Sequence, residues 1–209
     1  MKLIENTITQ FTNELASSSP APGGGSTAAV EAGFGSGLIA MVCELTLSNK
    51  KYSEFSETVN SIKQQANKNK DRLLEIVDED TEAFNMVSAA FGLPKESDEE
   101  KAIRRNAIQE GLRSCCIPPL NVMEKAHESL LLAKQLITNY NTNTASDLGT
   151  GIVSLRSAAQ GAYFNVLINA NSIKDEEYAK DIKNKADTLY KDILELSDEL
   201  YKKIIEELV

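Results

Sequence analysis

One helical stripe carries a residue that does not belong on it. Leu73, Val77, Phe84, Val87 and Phe91 recur at helical spacing, and the position between them, 80, is an aspartate. A carboxylate facing a core must be paired, hydrogen-bonded or shifted in pKa, because burying it bare is costly. Such a group suits proton transfer at a reacting centre; it suits equally a structural role, capping or bridging a neighbouring helix. A second unusual set is Asp147, Gly151, Ser154, Ala158, Gly161, Asn165 and Asn169, which shares one small, polar helix face. Its glycines and Ala158 permit close helix packing. The amides of Asn165 and Asn169, one turn apart, need partners if buried and can read the edge of a heterocycle.

A third feature is Ala21-Pro22-Gly23-Gly24-Gly25-Ser26, placed just before a helix. Glycines let the backbone approach a ligand, and free amides at a helix start attract anions or carbonyl oxygens. The preceding strand of a dinucleotide fingerprint and the lysine of a phosphate loop are both missing, and a plain turn is the competing reading. Lys50-Lys51-Tyr52 and Lys95 are local cations whose default is a solvated surface. His127 falls beside its helix's stripe, at a boundary, and Cys115-Cys116 read as packing residues.

Helices must hold these groups, since helical periodicity runs almost throughout and strand alternation is nearly absent. The pattern predicts an all-α bundle of six or seven helices forming one domain over residues 1–209. A short stripe of Ile4, Ile8, Phe11 and Leu15 precedes the Ser/Pro/Gly-rich break at Ser17 to Ser26. Helices are expected from about Thr27 to Ser48 and from near Ser53 to a stop at Gly92-Leu93-Pro94. Ser97 to Glu100 reads as a capping box opening the next helix. Pro118-Pro119 should end that helix and start another, whose stripe is Met123, Ala126, Leu130, Ala133, Ile137 and Tyr140. Ser146 should cap a helix reaching about Ile173. The long terminal helix is amphipathic, with Tyr178, Ile182, Ala186, Leu189, Ile193, Leu196, Leu200, Ile204 and Leu208 on one face.

Charge narrows the partners: 22 Lys plus Arg against 31 Asp plus Glu give -9, which argues against broad binding to nucleic acid or anionic membrane. Ala28 to Leu47 comes nearest to a membrane span, but its glycines, Glu31 and Glu44 favour a tightly packed buried helix. Cys43, Cys115 and Cys116 make no disulfide framework and, with one histidine, no zinc spacing. With no apolar leader near the start, this usage points to a reduced cytoplasm.

Together the motifs resemble those of the cyclodeaminase/cyclohydrolase family of folate enzymes. Pro22-Gly23-Gly24-Gly25-Ser26 is similar to its opening motif. Asp78-Glu79-Asp80-Thr81-Glu82-Ala83-Phe84 with Leu93-Pro94-Lys95 is similar to a second block, continued by Lys101, Arg104 and Gln109-Glu110-Gly111-Leu112. Ser146-Asp147 and Gly161-Ala162-Tyr163-Phe164-Asn165-Val166-Leu167-Ile168-Asn169 resemble a third, closest to the cyclodeaminase half of formiminotransferase-cyclodeaminases. The chain is too short to hold the transferase half as well. Tyr140, where the family has a glycine, and Cys115-Cys116-Ile117-Pro118-Pro119 depart from its pattern.

The resemblance implies conversion of 5-formiminotetrahydrofolate to 5,10-methenyltetrahydrofolate and ammonia, with methenyltetrahydrofolate cyclohydrolase as the alternative. It implies Asp80 as acid/base, and Asp147, Asn165 and Asn169 as folate contacts. Gly23, Gly24, Gly25 and Ser26 would close over the ligand, with Asp78 and Ser146 in the same binding set. Lys51, Lys95 and Arg104 would attract the glutamate tail. No metal or cofactor is implied, and a homodimer with a shared cleft is. The rival class, a non-catalytic helical adaptor, accounts for the acidic surface and terminal helix but not for these three features in one chain.

Overall fold

The computed structural model describes residues 2–209, and its regular elements are helices. They are α1 (Ile8–Leu15), α2 (Gly24–Leu47), α3 (Ser56–Phe91), α4 (Asp98–Leu136), α5 (Ala145–Ala170) and α6 (Glu176–Leu208), with short 3-10 turns between some of them. Two helix starts carry reciprocal capping boxes, Thr7 with Gln10 and, as the sequence predicts, Ser97 with Glu100. Asp175 caps α6 by accepting the Tyr178 amide.

α2 lies at the centre, packed against α3 and α5, with α4 beside it and α6 closing the far side across α4 and α5. Ile39, Ile62, Leu73, Ile76, Met123, Leu130, Leu148, Ile152, Leu155, Ile193 and Leu200 are fully buried at these contacts. Each such side chain contributes about 1.5–3 kcal/mol relative to exposure. A buried polar tie, Ser36 to Ser129 at 2.8 Å and Asn69 to Ser129 at 3.1 Å, fixes α2, α3 and α4 in register. α2 and α5 run antiparallel and cross very closely. A Cβ on Gly35 would lie 2.9 Å from the Gly151 carbonyl, and one on Gly151 would lie 3.1 Å from the Gly35 carbonyl. The small-residue faces are thus used inside the chain, joining α2 to α5.

Several expectations need correction. Pro118 and Pro119 do not end a helix: α4 runs straight through them. A proline at 119 has no N–H for the Cys115 carbonyl one turn back. The Asn169 side-chain amide of α5 donates to that carbonyl instead, at 2.9 Å, and both prolines are buried in the bundle. α2 begins at Gly24 rather than Thr27, so Gly24, Gly25 and Ser26 form its first turn and not a loop free to close. Ser146 is not a cap; it is exposed within the first turn of α5, whose cap position is Thr144. On α3, Phe84 and Phe91 point outward, and the buried face past Asp80 is Ala83, Val87 and Ala90. α2 is long and apolar enough to cross a membrane by length and composition, yet only half of that stretch is buried in the bundle. Phe34, Met41 and Leu45 stand exposed on its outer side.

Candidate active site

The start of α2 is assembled around the carboxylate of Asp80. Its cap residue, Gly23, has no side chain to accept the free amides of the first turn. Asp80 reaches across from α3 to that first turn and accepts the Ser26 hydroxyl at 2.8 Å. The hydroxyl is fully buried and also lies 3.4 Å from the Val77 carbonyl. Gly25 makes the approach possible. A Cβ there would stand 2.2 Å from Asp80 Oδ1 and 2.6 Å from its carboxyl carbon.

Burial raises the pKa of Asp80 above the ordinary aspartate value, and the Ser26 hydroxyl and amide pull it partly back. The result is a carboxyl that holds a proton nearer to neutral pH than a surface aspartate, yet can still release it. That is the property needed of a general acid/base. Cys115 lies close by. Burial and the Asp80 charge push its thiol up to about 11, so it is an inert wall and not a nucleophile.

Asn165 joins this end of the bundle from α5. Its amide lies against Gly24, 3.2 Å from where a Cβ would be, and donates to the Gly161 carbonyl. Between these helices a cleft of about 490 Å³ is lined by Gly24, Thr27, Glu31, Gln160, Gly161 and Phe164. Gly23 faces open space. Gly23–Ser26, Asp80 and Asn165 are therefore brought together at one end of the bundle, as the resemblance implies.

Asn169 stands near them too, since Cys115, whose carbonyl it holds, lies close to Asp80; the remaining candidates have other partners or lie further off. Asn169 holds the Cys115 carbonyl left free by Pro119, a task visible in principle from the missing proline N–H. Asp78 accepts the Leu3 amide at 2.7 Å and so anchors the N-terminal segment; its second oxygen is buried without a hydrogen-bond partner. Arg104 donates to the Phe91 carbonyl at 3.2 Å and lies over the Phe91 ring, finishing α3. That place is about 16 Å along α3 from Asp80, at 1.5 Å per residue. Lys95 is exposed in the connection beside it. Ser146 and Asp147 open α5, roughly 27 Å along that helix from Asn165.

Lys51 lies at that same remote end, after the C-terminus of α2, with its ammonium 5.3 Å from the Tyr52 ring. Tyr52 was not singled out as a site residue by sequence. Hydrogen bonding by Thr142, with help from the Lys51 charge, lowers its phenol below the usual tyrosine value.

Residues 7–188 match the sequence profile of the formiminotransferase-cyclodeaminase family. The chain is 37% identical over 175 residues to the methenyltetrahydrofolate cyclohydrolase of Methylorubrum extorquens, covering 84% of each protein. It is 31% identical over 187 residues to rat formimidoyltransferase-cyclodeaminase, covering 90% of this chain but only 35% of that longer protein. Its fold matches the crystal structure of formiminotetrahydrofolate cyclodeaminase from Thermotoga maritima with a TM-score of 0.89 over the whole of both chains, at 22% identity. The motifs at Pro22–Ser26, Asp78–Phe84 and Gly161–Asn169 lie within the matched stretch, and this chain belongs to the formiminotransferase-cyclodeaminase family.

Proposed function

We propose that this protein converts 5-formiminotetrahydrofolate to 5,10-methenyltetrahydrofolate and ammonia, with Asp80 moving the proton. The half-buried Asp80 carboxyl, held by Ser26 against the start of α2 in a chain of this family, carries the reading. In the reaction, folate N10 attacks the carbon of the protonated formimidoyl group, and a tetrahedral centre bearing a neutral amino group forms between N5 and N10. Asp80 takes the N10 proton and delivers it to the amino group on that carbon. Ammonia then leaves, and the methenyl bridge remains. The carbon keeps its oxidation state, so the step needs no redox cofactor, and we propose that the protein works without metal or cofactor.

A second reading is favoured by the 37% identity to a cyclohydrolase over 84% of both chains. There, water attacks the methenyl carbon, and the same carboxyl passes a water proton to N5 as the ring opens. Purified protein supplied with 5-formiminotetrahydrofolate should release ammonia and build up the ultraviolet absorbance of the methenyl product. Hydrolysis of added methenyltetrahydrofolate without turnover of the formimino compound would establish the second reading instead.

We further propose a homodimer in the cytoplasm with no nucleic-acid or membrane partner. Exposed Phe34, Met41 and Leu45 on α2 supply an apolar face for a second copy. The free, buried thiols suit a reducing compartment, and the net charge of -9 disfavours polyanions.

A further inference from the structure

Asp80, Ala83 and Val87 share one face of α3, three and four residues apart, and Cys115 of α4 is buried against the latter two. The Cys115 thiol lies close enough to Asp80 for that charge to push it up. The two helices approach closely here: a Cβ on Gly111, one turn before Cys115, would lie 2.8 Å from Val87 Cγ2 and 3.2 Å from Val87 Cα. Cys116 faces the other way and packs with Ala170, Ile173 and Ala179. Cys115 is thus one wall beside the acid, and its carbonyl is left open by the α4 ladder. Pro119 supplies no N–H for it, and a helix lacking that bond is prone to bend at the proline. The bond comes from outside, from the Asn169 amide of α5 at 2.9 Å.

The groups around Asp80 are few. α2 brings the Ser26 hydroxyl, with Glu31 farther along on the neighbouring cleft; α4 brings the Cys115 thiol, and α5 the uncharged Asn165 and Asn169. On its own helix, Asp78 accepts the Leu3 amide and Glu79 pairs with Arg72 at 2.8 Å. Burial is the largest influence on the Asp80 proton, and no neighbouring charge adds to the shift.

We propose that Asn169 is a positioning residue for Asp80: by holding the Cys115 carbonyl across the gap that Pro119 leaves in α4, it keeps the Cys115 wall against the carboxyl and water away from that side. Without the bond, the carbonyl turns toward water, α4 bends at the proline and the wall withdraws. Asp80 is then hydrated, its pKa falls back toward that of an exposed aspartate, and its carboxyl loses its fixed direction. Asn169 is dispensable only when position 119 carries an N–H. This role rests on the reading of Asp80 as the acid/base.

Asn169→Ala should lower kcat about tenfold with little change in KM, since a displacement of about 1 Å at a reacting group can cost up to ~10²-fold. The acid limb of its kcat/KM profile should move to lower pH, because that limb reports the base of the free enzyme. Adding Pro119→Ala gives position 119 an N–H, and both kcat and the acid limb should return to those of Pro119→Ala alone. This comparison of two Pro119→Ala chains, with and without Asn169, also serves where Asn169→Ala by itself is too unstable to purify. A double variant as impaired as Asn169→Ala, or a raised KM in both, would make Asn169 a substrate contact and overturn the proposal. So would an unmoved acid limb with only a lower melting temperature, the result of a plain structural bond. Carbon-13 NMR titration of the Asp80 carboxyl, identified by its absence from Asp80→Asn, reads the same effect without turnover. If Asp80→Asn keeps its activity, the acid/base reading fails and this titration alone decides. A carboxyl pKa lowered in Asn169→Ala and restored in the double variant upholds the wall, and an unchanged one refutes it.

Discussion

Replacing Asp80 with Asn should lower turnover by ~10²-fold or more while folate binding changes little, because the proton exchange is lost mainly from the transition state. Stability should move the other way. Burial raises the pKa of Asp80 in the folded protein, so its contribution to stability is complete below the unfolded pKa and is lost as pH rises through the folded one. Asparagine keeps the size and an acceptor for the Ser26 hydroxyl but never ionises. The variant should therefore melt at or above the parent at pH 7, and the difference should shrink on acidification. Turnover and melting curves on one preparation decide the matter. Near-normal turnover would move the proton transfer elsewhere, and lower stability at neutral pH would make Asp80 a structural cap.

Gly25→Ala should be nearly as damaging to activity for a different reason. The new methyl group would occupy the space of the Asp80 carboxyl, 2.2 Å from Oδ1. The obstructing group is the end of a side chain and can rotate away, so the protein should stay folded; alanine is also the better helix former. The carboxyl, however, would leave the Ser26 hydroxyl, and a displacement of about 1 Å at a reacting group can cost ~10²-fold in rate. A folded Gly25→Ala protein with wild-type kcat would show that the Asp80 position is not needed.

The helical class, the Ser97 cap and the α6 stripe were legible in the sequence because each depends on contacts local to one helix. So was Asp80, since a lone carboxylate on a core stripe stands out against its neighbours. The Pro118-Pro119 reading failed because the partner that rescues the freed carbonyl, Asn169, sits on another helix. The hydrogen bond from Asn169 to that carbonyl was hidden for the same reason: spacing along α5 does not reveal a partner on α4. Asp78 and Arg104 likewise hold the backbone of Leu3 and Phe91. Motif order along the chain also hid the distance between Asp80 and the Lys51, Ser146 and Asp147 end, because α2 and α5 each run from one end of the bundle to the other. Patterns along one helix were legible in the sequence, and the partners that each residue meets on another helix were not.

The bond from Asn169 to the Cys115 carbonyl ties the history of two distant codons together. While Pro119 is present, Asn169 satisfies a part-buried carbonyl that the proline cannot, so losing the amide leaves an unpaired acceptor in the preceding helix. Should position 119 regain an N–H first, α4 closes its own ladder and Asn169 is released from that duty. The two substitutions are thus tolerated in one order and penalised in the other. A lineage of this fold can drift away from the Asn only after it has given up the proline.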